Sequence, residues 1–142
     1  MTYAYDPAGN RVGRRELDGS RVTWPYDSRN QLQGENRTGT SAYRQTYTYD
    51  PAGNRTLKDV DAVRTTYAYD AANQLIYGLV AAGRTTYTFD AAGNQQRELS
   101  PTGGRTSVTW NYENQPILYQ LPSGSRVTYA YNAENRRVKE EE

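Results

Sequence analysis

An acidic or amide side chain recurs at one fixed place in this chain, as Asp6, Asp27, Asp50, Asp70, Asp90, Asn111 and Asn132. A row of carboxylates beside Gly-Asn pairs has the oxygen donors that calcium takes. The same side chains open turns, accepting from the backbone N–H two residues on. A turn supplies at most one carboxylate, and two copies place Asn there instead. The turn reading therefore outweighs the metal reading, and neither a metal nor a cofactor is expected. Glycoside hydrolysis needs two carboxyls at a set separation in a cleft. No such pair stands apart from the recurring Asp, so no catalytic residue is assigned and the chain is read as a non-enzyme. A row of Arg (Arg21, Arg44, Arg64, Arg84, Arg105, Arg126) has the charge to meet anions. On a solvated face such a row serves solubility and adds little stability. Flat aromatic faces suit sugars, and Tyr43, Tyr77, Tyr112 and Tyr119, which lie off the repeating pattern, are weak candidates for ligand contacts.

The elements that hold these residues follow from a repeat. Taking the second aromatic of each copy as position 0 gives Tyr5, Tyr26, Tyr49, Tyr69, Phe89, Trp110 and Tyr131, spaced 20 to 23 residues apart. Position −2 holds Tyr3, Trp24, Tyr47, Tyr67, Tyr87, Val108 and Tyr129. Residues two apart share one face of a strand, so the aromatics point one way and the Arg and Thr at −5 and −3 the other. The turn after position 0 closes at Gly9, Asn30, Gly53, Asn73, Gly93, Asn114 and Asn135, the two residue types that accept a left-handed backbone. Position +5 is Asn10, Gln31, Asn54, Gln74, Asn94, Gln115 or Arg136, whose side chain reaches for a neighbouring copy's turn. A less regular strand then returns to a second turn, at Asp18-Gly19, Gly39, Asp61-Ala62, Ala82-Gly83, Gly103-Gly104 and Ser123-Gly124. Pro25 cannot donate to a ladder, so its strand is expected to be an edge or bulged. The longest insertion, around residues 34–43, is expected as a surface loop.

The predicted fold is all-β: tandem antiparallel hairpins forming one array over residues 1–142. Its repeats fall at about 1–20, 21–43, 44–63, 64–83, 84–104, 105–125 and 126–142. Leu, Ile and Val are scarce, but 13 of the 17 aromatics occupy the two strand positions. A ladder of such rings substitutes for an aliphatic core, so a narrow Tyr-rich interior is expected, with hydroxyls bonded to the recurring Asp, Asn and Gln. The chain has neither Cys nor His, which excludes disulfides, thiolate chemistry and His-based acid–base chemistry. The net charge of +1 supplies no footprint for nucleic acid. No apolar run is long enough for a membrane-spanning helix, and no signal peptide is visible after Met1. The near-integral repeat count, without capping repeats, suggests stacking end to end.

The pattern T-Y-x-Y-D-x-x-G-N, with alternate copies reading Y-D-x-x-N-Q-L, resembles the YD repeat of Rhs proteins, insecticidal toxin-complex components and teneurins. The resemblance spans Tyr3 to Arg137. It is carried by Tyr-Asp at 5–6, 26–27, 49–50 and 69–70, Phe-Asp at 89–90, and Gly-Asn at 9–10, 53–54 and 93–94. It implies β-hairpins that spiral into a hollow shell around a polypeptide cargo, often a toxin, in an extracellular or cell-surface bacterial setting. The family's self-cleaving Asp-Pro-x-Gly-Leu motif is not matched, because Asp6-Pro7-Ala8-Gly9 and Asp50-Pro51-Ala52-Gly53 are each followed by Asn. The implied partners are other YD repeats, in a longer chain or by self-association. An enclosed polypeptide is implied by the same resemblance. The alternative is a cell-surface adhesin holding a glycan on exposed Tyr and Trp.

Overall fold

A computed structural model describes all residues from Met1 to Glu142. Fourteen strands hydrogen-bond in chain order, each antiparallel to the next where the pairing is described, and no helix interrupts them. The chain divides into two compact units, Met1–Tyr67 and Ala68–Glu142. The first holds β1 (Thr2–Tyr5), β2 (Arg11–Arg15), β3 (Arg21–Thr23), β4 (Gly34–Thr38), β5 (Tyr43–Tyr49), β6 (Arg55–Val60) and the start of β7 (Val63–Tyr69). The second holds the end of β7, then β8 (Leu75–Val80), β9 (Gly83–Phe89) and β10 (Gln95–Leu99). It continues through β11 (Arg105–Trp110), β12 (Pro116–Gln120), β13 (Arg126–Tyr131) and β14 (Arg137–Glu141).

The turn after position 0 is built identically in all seven copies. The Asp or Asn that opens it donates its N–H to the carbonyl four residues on, as Asp6 does to Asn10 at 3.0 Å and Asn132 to Arg136 at 3.0 Å. The closing residue donates back to the opener's carbonyl and takes a positive φ: 85° at Gly9, 60° at Asn30, Asn73, Asn114 and Asn135, 92° at Gly53 and 87° at Gly93. This is the three-residue hairpin loop that needs a left-handed third residue. The first strand after it carries a bulge: Tyr5 pairs with Arg11 while Ala4 pairs with Gly13, and Tyr49 with Arg55 while Thr48 pairs with Leu57. The same shift recurs at Phe89, Trp110 and Tyr131. An extra residue on one strand turns the following side chain to the opposite face.

Two expectations need correction. Residues 34–43 are not a loop: Gly34–Thr38 forms β4, paired with β3 and β5, and the turn is confined to residues 39–42. Gly34 fits there because a Cβ would lie 2.3 Å from the Gln45 carbonyl oxygen. The enclosed Tyr-rich interior is also absent. Within each unit strands touch only their sequence neighbours, so no second layer covers the aromatic face. Val22 and Trp24 are the buried hydrophobics, whereas Tyr3 and Tyr5 are 41% and 63% exposed. The strand before Pro25 is not an edge, since β3 pairs with both β2 and β4, and it stops short of the proline. β3 ends at Thr23, and the chain beyond it keeps single ladder bonds, Trp24 to Val12 at 3.1 Å and Gln33 to Pro25 at 2.8 Å.

Candidate functional site

The recurring Asp residues are taken up by their own turns. Asp6 Oδ1 accepts from the Asn10 N–H at 2.8 Å and Oδ2 from the Asn10 amide at 3.0 Å, and Asp50 and Asp90 repeat both bonds. The Asn10 side chain holds the Asp6 carboxyl below its ordinary 3.8. The Asn54 side chain does the same for Asp50, and the Asn94 backbone N–H leads for Asp90. Asn111 fills the same role uncharged, accepting from the Gln115 N–H at 2.9 Å. No group of three or more Asp and Glu is placed to hold a metal ion.

Side chains that leave one hairpin reach the next. Asn10 donates to Asn30 Oδ1 at 2.8 Å and Asn94 to Asn114 Oδ1 at 2.7 Å, joining successive turns by amides. In the alternate step a Gln lies against the next turn's glycine: a Cβ on Gly53 would sit 3.3 Å from Gln31 Nε2, and one on Gly93 would sit 3.2 Å from Gln74 Nε2. Through the first six copies Gly and Asn alternate at position +4 as the incoming side chain alternates between Gln and Asn; the seventh departs, with Gln115 preceding Asn135. In three copies the residue at position 0 reaches back to the +6 carbonyl of the preceding copy. Tyr49 donates to Leu32 at 2.7 Å, Trp110 to Gln95 at 2.9 Å, and Tyr131 to Pro116 at 3.0 Å. The hydroxyls of Tyr49 and Tyr131 therefore bond backbone carbonyls rather than the Asp, Asn and Gln expected from sequence. Tyr47 does find Gln45, at 2.9 Å.

The sequence reading missed position +6. This residue pairs directly with position 0, as Arg11 does with Tyr5 and Arg55 with Tyr49, so it lies on the aromatic face, where both arginines stack between rings of two copies. Arg11 lies 5.5 Å from the Tyr3 ring centroid and 4.4 Å from that of Trp24, and Arg55 lies 5.6 Å from Tyr47 and 5.0 Å from Tyr67. Guanidinium over a ring face is attractive at such distances. The signal was present as Arg at +6 in copies one, three and seven. Beside this row, Arg37 binds Glu16 through both oxygens, at 3.0 and 2.6 Å, and Arg14 pairs with the same Glu16. Val22 is fully covered. It pairs across the ladder with Arg14 and Arg37, so the long side chains on its flanks supply a lid that no second layer provides.

The four off-pattern tyrosines do not converge. Tyr43 is half-buried and donates to Glu35, which pushes its hydroxyl pKa up. Tyr77 lies under Arg84, 4.1 Å from centroid to guanidinium. Tyr119 packs edge-on against Tyr129 at 5.7 Å. Pairing of Tyr77 with Thr86, and of Tyr119 with Val108 and Val127, puts these two rings on opposite faces. Tyr112 is 93% exposed in a turn. Neither Trp is the exposed platform expected of an adhesin, since Trp24 is 7% exposed and Trp110 is half-buried with its indole N–H bonded. A hollow of about 680 Å³ opens in the first unit where Pro25 breaks the strand, lined by Thr23, Trp24, Gly34, Asn36, Arg44 and Thr46 among others.

No protein-family model and no curated protein matches the sequence. Solved structures do match. The crystal structure of TcdB2-TccC3 aligns with 98% of this chain at a TM-score of 0.62 and 16% identity. The Photorhabdus luminescens Tc holotoxin pore, carrying the TccC3 substitution D651A, aligns with 99% at 0.61 and 16%. TcdB2-TccC3 without its hypervariable C-terminal region aligns with 90% at 0.62 and 18%. The chain spans about a tenth of the length of the chains it matches, 11% in the first two cases and 7% in the third. At such identity the likeness establishes the fold. The residue pattern and the backbone thus lead separately to one place: a chain that resembles the YD repeat of toxin-complex components folds as part of a Tc toxin structure does.

Proposed function

We propose that this chain is a structural, non-enzymatic YD-repeat scaffold that forms a stretch of extracellular wall. The wall is either a segment of an Rhs-type encapsulating shell or an assembly of copies stacked end to end. The observation that carries the reading is where the repeated polar chemistry goes. Turn amides, position-0 hydroxyls and +6 guanidinium groups join one hairpin to the next. Within each unit a single layer of strands, with rings half-covered on one face, suits a stretch of wall whose inner or outer side meets something else. The likeness to Tc toxin structures supports the shell version, with a polypeptide cargo behind the wall. A glycan-binding surface gains no support from ring placement, since the candidate tyrosines are separated or already packed.

Electron cryomicroscopy of the protein as isolated, without trimming or refolding, tests the reading. Density in which these hairpins continue into a larger wall, closed or filamentous, is expected. Dispersed single chains that process a substrate or bind a glycan would overturn it.

A further inference from the structure

We propose that the first unit carries a site for a phosphate group, free or as the monoester of a small molecule, gripped by Arg15 and Arg21 over a notch at Gly13. This goes beyond the scaffold reading and stands whether the chain serves in a wall or alone.

Arg15 on β2 and Arg21 on β3 pair directly across the ladder, and Thr2 and Thr38 continue the same row on either side. Directly opposed residues share a face and hold their Cβ atoms about 5 Å apart, where like charges destabilise the pair. The other arginines of position −5 meet different partners: Asn36 for Arg44, Asp59 for Arg64, Leu79 for Arg84, Leu99 for Arg105 and Gln120 for Arg126. Among them Arg21 alone faces a second guanidinium. Neither Arg15 nor Arg21 forms an ion pair. The acids close by in sequence are engaged elsewhere, Glu16 with Arg14 and Arg37, and Asp18 with the N–H and hydroxyl of Ser20.

The space beside this row is open. A hollow of about 520 Å³ is lined by both arginines, Thr2, Thr38, Ala4 and Gly13 among others, and no carboxylate borders it. Ala4 and Gly13 pair next to the arginines on the same face. In other hairpins the residue across from position −1 is Leu57, Arg97, Leu118 or Lys139. Nothing local demands glycine at 13. It does not take a positive φ, and a Cβ there would lie 3.5 Å from the Ala4 Cβ and 3.9 Å from the Val22 carbonyl oxygen, ordinary contact distances. What the missing side chain supplies is room. A guanidinium binds phosphate through two parallel N–H bonds, so two that face each other grip one group from both sides. A phosphate monoester carries close to two negative charges, against two positive charges here. The Thr2 and Thr38 hydroxyls stand at the ends of the row as further donors. The hollow has the size of sites for small organic molecules, which leaves space for the group that the phosphate esterifies.

The test titrates the full chain with inorganic phosphate and with glycerol 3-phosphate, following arginine Nε–H and backbone amide signals by nitrogen–proton correlation spectroscopy. Saturable shifts are expected at Arg15, Arg21 and Gly13, with half-saturation at about a millimolar or below. Arg105 and Arg126, also exposed, are the internal control and are expected to stay still. Glycerol 3-phosphate is expected to bind more tightly than inorganic phosphate. Equal binding would still support the grip and would make free phosphate the ligand. Arg15→Gln is expected to weaken binding of both at least about tenfold. Without phosphate its melting temperature is expected to be unchanged or higher, since one of two opposed charges is gone. Gly13→Leu keeps both charges and fills the notch, as Leu57 and Leu118 do elsewhere. It is expected to weaken binding at least about tenfold as well, and Arg15→Gln serves if it misfolds. Absence of a saturable shift at Arg15 and Arg21 up to about ten millimolar would overturn the site. So would equal shifts at Arg105 and Arg126, which would mark a diffuse attraction to exposed charge, or a folded Gly13→Leu variant that binds as the parent does.

Discussion

At the scale of single residues, backbone conformation and the neighbours of each turn decide which side chains are tolerated. Gly39 and Gly19 share positive φ values, 92° and 85°, but not surroundings. A Cβ on Gly19 meets nothing, while one on Gly39 would lie 2.7 Å from the buried Ser20 hydroxyl oxygen and 3.0 Å from its Cα. Gly19→Ala is expected to cost about 1 kcal/mol, the left-handed penalty alone. Gly39→Ala is expected to cost at least about 1 kcal/mol more, because the backbone must shift as well. Urea unfolding of both variants checks the difference. The turn carboxylates set a pH dependence. Asp6, Asp50 and Asp90 have folded values below the ordinary 3.8, held there by amide donors. A lowered folded value means that the unfolded chain takes up protons first as the pH falls. The contribution to stability is therefore complete above about pH 4 to 5 and is lost below that, as the pH passes through the folded values. The melting temperature is expected to be level from pH 7 to 5 and to fall below about 4. Asp50→Asn with Asp90→Asn is expected to shallow that fall, because Asn111 and Asn132 already open the same turn without a charge. A melting curve that ignores acid, or a double variant as acid-sensitive as the parent, would contradict this.

At the scale of the hairpin, position +6 is the point where a simple ladder becomes a joint. It pairs with position 0 on the aromatic face, and its carbonyl accepts from the next copy's position-0 side chain. Tyr49→Phe removes the donor and leaves the Leu32 carbonyl unpaired, so a loss of about 1 kcal/mol is expected. Urea unfolding followed by tyrosine fluorescence measures it, and an unchanged midpoint would show that the bond contributes nothing. Much of the hairpin was legible beforehand. Asp or Asn followed three residues later by Gly or Asn states the turn, and aromatic alternation states which face is which. The bulge was not legible, because a period-two reading of Arg11–Arg15 or Arg55–Val60 carries the ladder straight through. Arg at +6 lies ahead of the shift, opposite position 0, and its place beside the rings follows from the three-residue loop. The β4 strand was hidden for a related reason. Gly34, Asn36 and Gly39 read as loop residues until the Gln45 carbonyl that crowds Gly34 is in place.

At the scale of the whole chain, polar composition and repeated rings announced an all-β array but not the absence of an enclosed core. Thirteen aromatics on one face look like an interior until strand pairing proves to be sequential within each unit, with nothing laid over it. Stability must then come from neighbour to neighbour, as in other repeat proteins. The candidate site was legible only as a type. The four off-pattern tyrosines were visible as candidates, but their separation depends on register, which sequence alone does not state.

The most direct measurement is residue-resolved native-state hydrogen exchange of the unaltered chain and of Trp24→Ala. Trp24 is buried and carries Arg11 and Arg14 over its ring. If hairpins are held by their sequence neighbours, protection will fall in β1 to β6 and remain at its original level in β9 to β14. A uniform loss across all strands would mean that one shared core holds the chain, and would contradict the account.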